Sequence, residues 1–348
     1  MSTSSSPLLS DAKNPIKQQD KLAMDAQNET DVESQKMNDN NNENNQSSEV
    51  EEKKEEERSP LISITISLVI TAICFGVSYP TNTYYECIVS YGVNWLSFLA
   101  IAWPLHTEKY YDFTGMLTFL ACDIFSITYN VGSNWNANNI RSIVLFFMVM
   151  CWTLRLGLFL FQRISRKHGG KDKRFDNLRN NFWRFSVAWC LQATWAYFCC
   201  MPLFIVNQIG NRDTEFQVRR YDVDNWTPLD IVGWALWAFG WFIEILADRQ
   251  KSAFKNDPNN RGKFCNAGLW SLSRHPNYFG EITLWIGIFI SSASVAYNAG
   301  WLAVLSPVWT ILLLVFSSGI PLAERTSMKK YGEQEEYQKY VKEVSVLI

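Results

Sequence analysis

The chain divides at about residue 58 into two opposite patterns of polar and apolar positions. Residues 1–58 are rich in Ser, Asn, Gln, Glu and Lys, include "NDNNNENN" and "EEKKEEER", and hold no aromatic residue. Such a stretch buries too little apolar surface to offset its ordering entropy, so it reads as a disordered polar tail. No apolar run opens the chain, which predicts no cleaved signal peptide. From Pro60 onward long apolar blocks alternate with short polar ones, the pattern of membrane spans. Eight blocks stand out: 61–79, about 88–105, about 114–129, 143–161, roughly 183–209, 227–247, 279–297 and about 300–323. The first, fourth, fifth, sixth and eighth are full-length apolar runs. The second is interrupted by Gly92 and Asn94, the third is short and carries Asp123, and the seventh reads with these two as a softer span. A crossing needs about 20 apolar residues, fewer where the bilayer thins or the helix is enclosed by protein.

Charge supports the count. Loop 163–184 carries eight Lys/Arg, loop 248–274 six, and the stretch after Ala323 five; loops 80–87, 130–142 and 298–299 carry Arg141 alone. With eight spans all the basic segments fall on one side together with both termini, as the positive-inside rule requires of a cytosolic face. The expectation is an all-α integral membrane protein. It is a bundle of seven to eight transmembrane helices with basic cytosolic loops and a disordered N-terminal tail. Asn225-Trp226-Thr227 is a glycosylation sequon on the far side, too near the membrane for use.

Composition changes this picture little. Aromatic residues make up 15% of the chain, with 15 Trp. Trp183, Trp189, Trp195, Trp226, Trp234 and Trp237 fit interfacial belts and lipid-facing packing. The eight cysteines show no zinc spacing and read as reduced, structural thiols. With three histidines no metal site is expected, and nothing points to nucleic acid. His168-Gly169-Gly170-Lys171 follows no strand, so it reads as a hinge in a basic loop rather than a phosphate loop. His106, at a span edge, reads as structural.

The candidate chemistry lies in "SRHPNYFGE", Ser273–Glu281, where a basic loop meets the seventh block. Pro276 suits the first turn of a helix, where its missing N–H costs nothing. On that helix Tyr278, Glu281 and Trp285 fall at i, i+3 and i+7, on one face, with Asn277 just ahead of it. A helix start beside Arg274 and His275 favours an anion. A carboxylate at the bilayer edge is costly without a partner and so is a functional candidate. Arg155, inside the fourth block, should face a cavity or a carboxylate, unless it snorkels to the interface. Glu244 and Asp248 share a helix face and should pair with Arg249, Lys251 or the arginines of loop 163–184.

The stretch "GLWSLSRHPNYFGEITLWIGIFI", with "ADRQKSAFK" before it and "SGIPLAERTSMKKYGEQEEYQKYVKEVSVLI" after it, resembles the steroid 5-alpha-reductase C-terminal superfamily, in its DUF1295 branch. "CWTLRLGLFLFQRISRKHGGKDKRFDNLR", Cys151–Arg179, resembles that branch too. The resemblance covers roughly 145–348, so 59–144 are N-terminal helices on the substrate side and 145–348 a C-terminal domain holding the cofactor site. It implies an endoplasmic-reticulum oxidoreductase that takes NADPH from the cytosol and reduces a carbon–carbon double bond in a sterol or other lipid entering from the bilayer. Carried over by position, Arg274, His275, Asn277, Tyr278 and Glu281 match the cofactor motif. Lys263, Glu324 and Arg325 fall at further charged cofactor positions. The basic run Arg249, Lys251, Lys255, Lys263 and Arg274 would hold phosphates, and Tyr278 and Glu281 would serve catalysis. The family's substrate-polarising acid and tyrosine come from its N-terminal half; here Glu86, Asp123 and Tyr129 are the candidates.

Two other readings stand beside this one. A membrane methyltransferase using S-adenosylmethionine on a prenylated or phospholipid substrate has a similar arginine-histidine-proline stretch, but its methyl donor needs few cations. An inactive lipid-binding relative would keep the fold alone. A transporter is disfavoured, since no internal repeat or paired broken helices appear.

Overall fold

In the computed structural model the described residues are 60–130, 140–165, 172–208 and 226–347. The tail 1–58, the His168–Lys171 segment and Asn225 of the sequon lie outside them. All regular structure among the described residues is helical, apart from one isolated parallel bridge between Ser273 and Ser345. The helices are α1 (Pro60–Thr81), α2 (Tyr84–Ser97), α3 (Tyr111–Asn130), α4 (Ile140–Ser165) and α5 (Phe182–Asn207). Next come α6 (Pro228–Asn256), α7 (Pro276–Ala293) and α8 (Leu305–Ile311), and then the short α9 (Ile320–Tyr331) and α10 (Glu335–Glu343).

Five helical stretches are long and apolar enough to cross a membrane: Pro60–Thr81, Ile140–Ser165, Phe182–Asn207, Pro228–Asn256 and Asn298–Tyr331. They are the first, fourth, fifth, sixth and eighth blocks of the sequence. The protein is therefore an integral membrane protein on the strength of these helices. α2, α3 and α7 form where blocks two, three and seven fall, but they do not meet that standard by length and composition.

Block eight is less regular than a single span. It begins as a 3-10 helix (Asn298–Val304), passes through α8, and widens into a π-helical turn at Leu312–Ser317. At Gly319 the chain re-enters a helix so tightly that a Cβ would collide with the Leu314 carbonyl oxygen. Pro321, one residue into α9, lacks the N–H that would continue the ladder.

α5 is apolar on every side and is the most enclosed helix, as expected for a helix with no polar face. α3, α4, α6, α7 and α8 pack in succession, and α5 closes the ring between α8 and α3. The tightest joint is α6–α7. A Cβ on Gly233 or Gly240 would meet the Gly287 or Gly280 carbonyl oxygen at 2.5 Å, and the reverse substitutions would meet the Gly233 and Gly240 oxygens at the same distance. Two glycine pairs, each seven residues apart, thus let the backbones touch, the small-residue packing that lipid-embedded helices favour.

The tryptophans depart from the lipid-facing expectation. Trp183 and Trp226 are exposed, but Trp189 and Trp237 are buried, and Trp195 and Trp234 pack against the core. Enclosure by a ring of helices outweighs interfacial preference there. All eight cysteines are free.

Candidate functional site

The half of the ring nearest the basic loops encloses a cavity of about 420 Å3. α3, α4, α5, α6, α7 and the π-turn at the end of α8 all contribute walls. Its inner end is aromatic: Phe119 meets Trp152 and Trp195 edge to face at 5.1 and 4.8 Å, and Trp152 meets Trp285 at 4.9 Å. Its mouth carries Arg163 at the end of α4 and Arg174 in the loop before α5. That loop is fixed by Glu108, whose carboxylate accepts from the Asp172 N–H at 2.5 Å and from both sides of the Arg179 guanidinium at 2.8 Å.

The carboxylates converge because α6 and α7 touch. Gly280 leaves room for the Glu244 backbone, so Glu244 on α6 and Glu281 on α7 stand side by side at the seam. Glu244 and Asp248 both accept from Arg155, from its Nη1 and, at 2.5 Å, its Nη2. Arg155 thus faces carboxylates, as its place within a span requires, but the partners of Glu244 and Asp248 come from α4 rather than from α6 itself or the basic loop. Pairing within α6 would have left Arg155 alone in lipid. Glu244, Asp248 and Glu281 all line the cavity.

Of the residues expected from the sequence, Asn277, Tyr278 and Glu281 line this cavity together. Pro276 opens α7 as expected, and Trp285 lies two turns deeper, against the aromatic end. The Asn277 Oδ1 is buried and accepts no hydrogen bond among the described residues.

The expected phosphate cations sit elsewhere. Arg249, Lys255, Lys263 and Arg325 are exposed and do not line the cavity. Lys251 lies over the Trp270 ring, 3.8 Å from its centre. Arg274 donates to Glu324 at 2.7 Å, and His275 Nε2 donates to the other oxygen of that carboxylate at 2.7 Å. Burial holds the His275 imidazole below its usual pKa, against the opposing pull of Glu324. The His275 ring stacks on Tyr278 at 5.4 Å and nearly parallel, so this ion network orients a cavity residue from behind. The chain after α10 pins it further: the Arg274 N–H donates to the Ser345 carbonyl at 2.9 Å.

Arg163 and Arg174 were visible in the sequence only as members of a basic loop. Nothing in their spacing marked them: Arg163 is brought to the cavity by the packing of α4, and the loop that carries Arg174 is held by Glu108 from far earlier in the chain. The N-terminal candidates do not reach the cavity. Glu86 is buried and accepts from Asn130 Nδ2 at 2.9 Å. Asp123 is 0% exposed within α3, one turn beyond Phe119, and Tyr129 is exposed. His106 is structural: its Nδ1 lies 3.2 Å from the Arg179 carbonyl oxygen.

Fold and site together define an integral membrane protein built as a helical ring around a charged-mouthed, aromatic-floored cavity. Residues 95–344 match the family described as protein of unknown function (DUF1295), and the chain belongs to that family. The match begins within α2, well before residue 145 where the sequence resemblance began. The chain is 24% identical over 233 residues to an uncharacterised protein of Schizosaccharomyces pombe, covering 60% of this chain and 64% of that one. It is 35% identical over 72 residues to a probable O-methyltransferase of Ustilaginoidea virens, covering 20% of this chain and 25% of that one. The chain thus spans less than two thirds of the length of either relative. No solved structure matches it.

Proposed function

We propose that this chain is a membrane reductase that binds NADPH in the α3–α8 cavity and reduces a carbon–carbon double bond conjugated to a carbonyl in a sterol or other lipid. One observation carries the reading: Asn277, Tyr278 and Glu281 share one cavity with a cationic mouth and an aromatic inner end. The residues fit such a cofactor. Asn277 Oδ1 is a buried acceptor with no partner, suited to a carboxamide N–H. Glu244 and Asp248, held by Arg155, are acceptors suited to ribose hydroxyls. Arg163 at the mouth suits a phosphate, and Arg174 beside it, while donating to Asp172 at 2.9 Å, adds positive charge there, in place of the 249–274 cations expected from the sequence.

NADPH supplies a hydride when bound. The chain's residues hold donor and acceptor in register and polarise the acceptor, which together account for much of the rate in such sites. Tyr278, oriented by the His275 stack, donates to the substrate carbonyl, and Glu281 beside it takes part in proton supply. The reading agrees with a steroid 5-alpha-reductase-like enzyme of eight spans in the endoplasmic reticulum, both termini cytosolic and the tail a solvated extension.

Methyl transfer from S-adenosylmethionine is the second reading. It draws on the 72-residue likeness to a probable O-methyltransferase and on the surplus of carboxylates over cations along the cavity wall. Binding of each cofactor to the purified protein in detergent separates the two, with Asn277→Ala, Glu281→Ala and Arg174→Ala as variants. The reductase reading expects NADPH binding, weakened about tenfold or more by each variant. S-adenosylmethionine binding without NADPH binding moves the protein to the transferase class. Neither binding to folded protein leaves an inactive lipid-binding relative.

A further inference from the structure

We propose that the seam between α4 and α6 is a lateral entrance. Through it a bilayer lipid, an apolar chain bearing an acceptor oxygen, reaches the cavity. The lipid character of the substrate rests on the proposed reductase reading; the entrance rests on how the ring of helices is joined.

Five of the six joints around the cavity are closed by helix packing, most tightly at α6–α7, where glycines bring the backbones into contact. The α4–α6 joint is different, for these two helices approach each other least. Ion pairs hold them. At the end away from the basic loops, Arg141 donates to both oxygens of Asp230 at 2.6 Å, and Ser291 adds a donor at 2.7 Å. At the cavity, Arg155 bridges Glu244 and Asp248. Arg141 pairs with Asp230 and Arg155 with Glu244, so the helices run parallel in one register. The clasps stand 14 residues apart, about 21 Å of helix at 1.5 Å per residue.

Between the clasps side chains replace helix contact. Trp237 lies seven residues from both Asp230 and Glu244, on the face that meets α4, and Trp241 follows one turn on. In the same register Met148 of α4 is level with Trp237, and Trp152 with Trp241. Trp237 is 8% exposed, yet neither its indole N–H nor that of Trp241 finds an acceptor among the described residues. A buried donor without an acceptor is costly in an apolar setting. A lipid carbonyl, ester or hydroxyl oxygen in the seam would satisfy it. The outer flanks are apolar and exposed, with Leu154 and Leu158 on α4 and Phe242 on α6. The seam leads to Trp152 and Glu244, which line the cavity. The charged mouth, by contrast, is a poor route for an apolar chain.

The test uses full-length protein in lipid bilayers, with Cys151 and Cys265 changed to Ser. Thr153→Cys, at the cavity wall, is the reporter, and Leu156→Cys is a second in case the first misfolds. Labelling rates are compared for a bilayer-soluble apolar maleimide and a charged, water-borne thiosulfonate. The entrance predicts labelling by the apolar reagent at least tenfold faster. It also predicts a further increase of about fivefold with Trp237→Ala or Met148→Ala, and none with Trp309→Ala, which loosens the α5–α8 joint instead. Equal rates for the two reagents, indifference to both seam variants, or equal acceleration by Trp309→Ala overturns the proposal. NADPH binding by the same preparations is read separately, so a failed cofactor reading and a failed entrance are told apart.

Discussion

Removing the guanidinium of Arg155 is the most searching perturbation of the site. Arg155→Met keeps much of the side chain's length and its apolar stem but leaves Glu244 and Asp248 without their shared cation. The side chains of Glu244 and Asp248 are 3% and 12% exposed, so water screens them little. Breaking a buried pair by removing one partner costs about 3–5 kcal/mol, because a charge is left uncompensated. The partial exposure of Arg155 and Asp248 places this case near the low end, about 3 kcal/mol. At about 2 °C per kcal/mol for a chain of this size, Tm should fall by about 6 °C. The assay is thermal unfolding in detergent, followed by tryptophan fluorescence. A triple variant, Arg155→Met with Glu244→Gln and Asp248→Asn, removes the stranded charges and should recover at least half of the loss. A single variant within 1 °C of wild type would refute the reasoning. So would a triple variant no more stable than the single, since the cost would then lie in packing rather than charge.

Three further outcomes follow from the same geometry. Gly280→Val drives a branched side chain into the Gly240 carbonyl and the Glu244 backbone, so it should cost about 3 kcal/mol or more and disperse the carboxylates; unchanged Tm and unchanged NADPH binding would show that the seam is not close-packed. The His275 pKa is lowered in the folded protein, mainly by burial, so the unfolded chain takes up a proton first as pH falls. Stability should therefore drop below about pH 6.5, by up to about 1.4 kcal/mol per unit until the folded value is reached. Glu324, Arg274 and Lys251 face the imidazole, and His275→Gln should flatten the Tm–pH curve between pH 7 and 5; an unaltered curve would assign the titration elsewhere. Asp230→Asn removes the carboxylate to which Arg141 donates, breaking a buried ion pair, and should lower Tm by about 6 °C or more, with little effect on cofactor binding, because the pair lies outside the cavity; loss of binding equal to that of Asn277→Ala would contradict that separation.

The pattern along the chain was enough to locate the helices and to single out the start of α7, whose residues line the cavity. Length of apolar run located the five long spans, because a crossing helix must satisfy its own backbone and cover it with apolar side chains. Proline and the i, i+3 spacing in "HPNYFGE" placed Tyr278 and Glu281 on one face, since local backbone geometry fixes that relation. Which residues meet across helices came from the packing. Arg155 joins Glu244 and Asp248 across 89 and 93 positions. Arg163 and Arg174, rather than the cations of the 249–274 run, guard the cavity, and Arg274 and His275 turn to Glu324. Charge pairing inside a membrane is settled by which partners the packed helices bring into reach, and the four glycines between α6 and α7, each ordinary in the sequence alone, decide one such approach, that of Glu244 to Glu281.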